Sequence, residues 1–204
     1  MGLNSFVVSV SAVAVCGGVA AGSISSIGPT DFGGTPDEVT FSEVAVGTSG
    51  PFSIGPATFS EGVIVDEGSL APPSDSGAPY LFTLSSGADD AAEVTFDYGM
   101  TAVGAYFDLR GSGFTVTTME LEFYNGATLL GTVAAVPTVG SGVLSGGWVG
   151  GETDGDLITR VVFRDTDPTS GISFRIDDLR FIPTPGTAML IGAAGLVGVR
   201  RRRA

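Results

Sequence analysis

A chain of 204 residues suits one domain with processing segments at its ends and is too short for two separate cores. Glycine at 32 residues, with 43% hydrophobic residues and 9% aromatics, favours short strands joined by tight turns and excludes a disordered chain. The 22 acids face nine basic residues, all Arg, and there is no His; this argues against a nucleic-acid partner and removes the usual bases that activate a nucleophile.

From the N-terminus, Phe6 to Val15 form an apolar run too short to span a bilayer. The small residues Gly17 to Gly22 follow, with Val19 and Ala21 at the small positions of a signal-peptidase site. Residues 1–22 therefore read as a signal peptide in a helix, although no Lys or Arg precedes the apolar run. The sole cysteine, Cys16, lies in this segment, so the rest of the chain has no disulfide. A lipoprotein at Cys16 is the alternative, opposed by Val15, where Gly, Ala or Ser is expected.

Residues 23–182 read as one β-domain. All the acids lie between Asp31 and Asp178, beside only Arg110, Arg160, Arg164, Arg175 and Arg180, which leaves this body near −17. Such a field suits solubility, cation association or a salty medium. Residues 24–79 are loop-rich, and period-two alternation marks strands at Val39 to Val44, Tyr80 to Leu84 and Glu93 to Tyr98. The clearest alternation runs from Phe114 to Tyr124, and Asn125-Gly126 then signals a type I′ hairpin into Thr128 to Val136. Later strands read at Val143 to Val149, Leu157 to Arg164 and Ile172 to Ile182. The expected fold is all-β, an antiparallel, jelly-roll-like β-sandwich flanked by the N-terminal signal helix and a short hydrophobic C-terminal helix.

Catalytic signals are sparse. Gly111-Ser112-Gly113 and Gly140-Ser141-Gly142 are turns, not phosphate cradles. Carboxylates alone leave a glycosidase as the remaining enzymatic reading, and no pair among 22 acids stands out for it. Glu152, Asp154 and Asp156 cluster around a glycine and are candidate calcium ligands, with a solvated acidic loop as the alternative. Asp165, Asp167, Asp177 and Asp178 are further calcium candidates. Trp148, the only tryptophan, has glycines on both sides, which suits either a ring offered to a sugar face or an aromatic capping the core.

The C-terminus carries Pro183-Thr184-Pro185-Gly186, an uncharged run from Thr187 to Val199, and then Arg200, Arg201, Arg202 and Arg203. As a helix the apolar run reaches roughly 20 Å, short of a bilayer core. The Arg run would stay cytoplasmic, leaving the acidic body outside. Proline pair, short apolar helix and terminal Arg cluster resemble the PEP-CTERM sorting signal of bacterial envelope proteins, here over residues 183–204. Pro183 and Pro185 match that motif's prolines, and Thr184 stands where Glu is usual. The resemblance implies transient membrane insertion, then cleavage by a membrane sorting protease, exosortase. Retention as a single-span membrane anchor is the alternative.

Val103 to Asp108, the Leu121 to Gly131 hairpin, Ile158 to Phe163 and Phe174 to Leu179 also resemble the lectin-like extracellular domain that accompanies this tail. Together these features imply an exported, non-catalytic surface or matrix protein with an adhesive role at extracellular polysaccharide. A secreted carbohydrate- or calcium-binding module is the alternative.

Overall fold

The computed structural model describes residues 23–65, 79–82, 91–110, 118–136, 139–140, 144–166 and 173–184. Among the described residues thirteen strands form, in chain order. The first six are β1 (Ile24–Ser26), β2 (Asp37–Val39), β3 (Phe52–Ile54), β4 (Ala57–Phe59), β5 (Val63–Val65) and β6 (Tyr80–Phe82). The long β7 (Ala91–Arg110) precedes β8 (Met119–Asn125), β9 (Thr128–Ala135) and β10 (Val139–Gly140). The last three are β11 (Leu144–Thr153), β12 (Ile158–Asp165) and β13 (Ser173–Pro183). All their pairings are antiparallel, and no helix occurs among the described residues.

β7 is the spine of a β-sandwich. Residues 91–96 lie between β4 and β12, whereas residues 102–110 lie between β11 and β13. The ladder slips where β7 changes neighbours, because Ile158 pairs with Met100 but Arg160 pairs with Thr95. Such a bulge bends a strand and raises its twist, letting one strand serve two layers. Gly99 sits in this bend, and a Cβ there would lie 2.7 Å from Leu157 Cβ. Beyond β12 the first layer continues through β8 to β9; beyond β13 the second continues through β6 to β5.

Alternation fills the interior. Val94 and Phe96 from the first half of β7, and Val103, Ala105 and Phe107 from the second, join one core with Leu121, Phe123, Val161, Phe163, Phe174 and Phe181. Burial at about 25 cal/mol per Å² of apolar surface makes that shared core the main stabilising term.

Several boundaries differ from the sequence expectation. The alternation at Val39 to Val44 ends as a strand at Val39, because Phe41 turns the chain at φ 61° to place its ring in the core. The hairpin turn is Gly126-Ala127, not Asn125-Gly126, since Asn125 pairs with Thr128. Only Gly126 has positive φ, at 57°, the type II′ pattern with glycine first. The separate stretches at 93–98 and 103–108 are one strand of 20 residues. Residues 114–117 lie outside the described residues, as do residues 1–22 and 185–204, for which the signal helix and the C-terminal helix are expected. No described helix is long and apolar enough to cross a membrane.

Candidate functional site

Tyr106 and Trp148 face each other across β7 and β11, two residues along the ladder from the Gly104–Gly150 pair. Residues two apart on a strand share a face, so the Trp148 indole lies over those two glycines. A Cβ on Gly150 would come 2.9 Å from its Nε1, which explains the glycine at that position. Trp148 meets Tyr106 edge-on at 5.1 Å between centroids and Phe32 at 5.9 Å. Its N–H donates to the Ile27 carbonyl at 2.8 Å. The Arg180 guanidinium lies 5.9 Å from the Trp148 ring and 5.7 Å from that of Tyr106. Arg180 also donates to Glu38 at 2.9 Å and to the Pro29 carbonyl at 3.3 Å. The half-buried tryptophan thus both floors an aromatic patch and ties down the segment that enters the domain.

The acidic turn after β11 is organised by Asp154. Its Oδ1 accepts from the Ser23 N–H and its Oδ2 from the Ser23 hydroxyl, each at 2.8 Å. These bonds hold its carboxyl below the usual Asp range. Glu152 extends β11 as an exposed residue, and Asp156 is half-buried. Among the described residues no three His, Cys, Asp or Glu side chains converge as a metal-binding group. Asp177 and Asp178 are buried strand residues rather than members of an exposed loop. Asp167 and the Asp165 side chain lie outside the described residues.

A charged cluster escaped the sequence reading. Arg175 is fully buried on β13, opposite Asp108 of β7, to which its Nη2 donates. Its guanidinium stacks 4.8 Å from the centre of the buried Tyr80 ring. Asp177 and Asp178 are also fully buried, and Asp178 takes φ 47° at a bulge that resets β13 against β7. Apart from Arg110, whose side chain is not described, every body arginine meets a carboxylate: Arg160–Glu93, Arg164–Glu122, Arg175–Asp108 and Arg180–Glu38.

At the other end, Pro183 still pairs with Met100. The Thr184 N–H and hydroxyl both donate to the Gly99 carbonyl, at 3.1 and 2.6 Å. The first two residues of the Pro-Thr-Pro-Gly segment are therefore fastened to the bend of β7. Pro185, Gly186 and Arg200 to Arg203 lie outside the described residues, as does Cys16.

The chain matches no protein-family profile and no curated protein. Among solved structures it is similar to a glycoside hydrolase family 43 arabinoxylan arabinofuranohydrolase from Bacillus subtilis. Identity there is 21% and the TM-score 0.39, over 62% of this chain and 26% of that one, so the chain spans about a quarter of that enzyme. It is also similar to a family 29 carbohydrate-binding module at 12% identity and a TM-score of 0.28, over 78% of this chain and 88% of the other.

Proposed function

We propose that the chain is an exported, non-catalytic β-sandwich of the cell envelope or extracellular matrix, acting by adhesion at extracellular polysaccharide. In this reading residues 1–22 direct export, and residues 183–204 hold the chain in the membrane until a sorting protease releases it. The single observation supporting it is that the domain is fastened right beside the segments proposed as leader and tail. Ser23, bonded to Asp154, directly follows the proposed leader, and the proposed tail starts with Pro183 and Thr184, which the domain still holds at Met100 and Gly99. Ion pairing of four body arginines with acids gives those carboxylates a structural task, in keeping with binding rather than turnover. The test is retention of the exported protein on matrix polysaccharide without release of reducing ends. Loss of retention, or release of reducing ends, would sink the reading.

A second reading is favoured by the Trp148–Tyr106 patch. Half-buried rings beside Arg180 and Glu38 combine apolar faces with polar groups, the make-up of a sugar-contacting surface. Because Trp148 is the only tryptophan, its fluorescence reports on this patch alone. A saturable change on adding oligosaccharide, abolished in Tyr106→Ala, would support glycan contact here, and a flat titration would oppose it.

A further inference from the structure

β1 is bound to the domain together with the residue before it, Ser23. Ser23 gives Asp154 two hydrogen bonds, and the Asp154 N–H donates back to the Ser23 carbonyl at 3.4 Å. Next in the chain, Ile24 pairs with Thr153 and fills a notch left by two glycines. A Cβ on Gly131 would lie 3.0 Å from Ile24 Cβ, and one on Gly151 2.8 Å from Ile24 Cγ2. The Ile27 N–H then donates to the Gly150 carbonyl at 3.0 Å. The segment is thus an edge strand whose outermost nitrogen already lies at hydrogen-bond distance from an exposed carboxylate.

A peptide N–H brings that carboxylate one neutral donor, whereas an α-ammonium group at the same nitrogen brings a positive charge and three donors. Charge-assisted bonds of this kind are about twice as strong as neutral ones. Upstream, Val19 and Ala21 suit a signal-peptidase cut after Ala21, and Ala20 and Gly22 meet the same small-residue requirement one residue on, for a cut between Gly22 and Ser23. We propose that leader removal leaves Ser23 as the first residue, and that Asp154 is the binding site for the α-ammonium group so created. Water splits the Gly22–Ser23 amide, the leader departs with a carboxylate on Gly22, and the Ser23 amine takes a proton at neutral pH. A cut after Ala21 would instead put the ammonium on Gly22, one residue beyond the clamp. The inference rests on the export reading and adds to it the residue at which export processing ends.

The absence of lysine supplies a clean probe, because amine acylation can then mark only the chain's first residue. The exported protein, expressed from the full chain, is analysed by N-terminal sequencing and then acylated in its folded state. The expected result is a chain beginning at Ser23 whose amine acylates several-fold more slowly than in Asp154→Asn. That variant keeps the same cut site and melts roughly 2 °C lower. A processed chain beginning at Gly22 or elsewhere, or equal acylation in the variant, overturns this inference and leaves export standing. A chain recovered with Met1 intact overturns the export reading itself.

Discussion

The indole N–H of Trp148 donates to the Ile27 carbonyl at 2.8 Å, joining the middle of β11 to the segment that follows β1. This bond makes the only tryptophan a fastener of the entering chain. Trp148→Phe retains a ring but loses the donor and leaves the Ile27 carbonyl without it. The expected cost is about 1–2 kcal/mol. Hydrogen exchange should quicken first in residues 23–36, before the core of β7. Unchanged exchange there would show that other contacts suffice to hold the segment.

The glycines beneath that indole are tested by adding one methyl group. A Cβ on Gly104 would lie 2.9 Å from Gly150 Cα and 3.0 Å from the Val149 carbonyl oxygen, with the Trp148 ring closer still. Backbone atoms cannot yield as side chains do, so Gly104→Ala should destabilise by about 2–3 kcal/mol. Gly155→Ala is the control, because nothing lies within 4 Å of its would-be Cβ. Chemical denaturation of both variants measures the contrast, and equal midpoints would contradict the packing described.

Arg175 and Asp108 form a buried pair on neighbouring strands, so removing either partner strands the other's charge. Arg175→Met should cost about 3–5 kcal/mol, and the double variant with Asp108→Leu should recover part of it. Additive losses in the double-mutant cycle would mean that the two side chains act independently.

Stability should fall at both ends of the pH range. Hydrogen bonds from Ser23 depress the Asp154 carboxyl, so its contribution is present above the unfolded-state pKa and fades as pH falls through the lower folded value, below about pH 4. Tyr98 and Tyr124 shift upward, mainly because burial disfavours their phenolates, with nearby acids adding to the effect. Their contribution is present below the unfolded-state pKa and is lost as pH rises past about 10 toward the higher folded values. Melting curves from pH 2 to 12 should show both declines. Asp154→Asn should flatten only the acid limb, and Tyr124→Phe only the alkaline one.

Alternation and turn residues were enough to read an all-β fold. The Leu157 to Arg164 and Ile172 to Ile182 stretches match β12 and β13 to within a residue at each end, because both are rich in β-branched and aromatic residues bounded by turn-forming ones. The extent of β7 was hidden, since Gly99 and then the continuous buried run from Ala102 to Ala105 interrupt the alternation where the strand passes between layers. Phe41 misled for a similar reason: its apolar side chain fits the alternation, while its backbone turns out of the strand. At the candidate site, glycines around Trp148 are plain in the sequence, but the role of Gly150 depends on Gly104, 44 positions from the tryptophan. The Arg175–Asp108 pair was illegible, because charged residues on strands normally mark a solvated face and these are buried.

The most direct test of the account is the intact mass of the protein recovered from envelope and medium fractions. A released species lacking both the N-terminal run and everything beyond about Pro185 is the predicted result. Recovery of the whole chain from Met1 to Ala204 would contradict export and sorting together, and a mature chain retaining Thr187 to Ala204 would replace release with membrane anchoring.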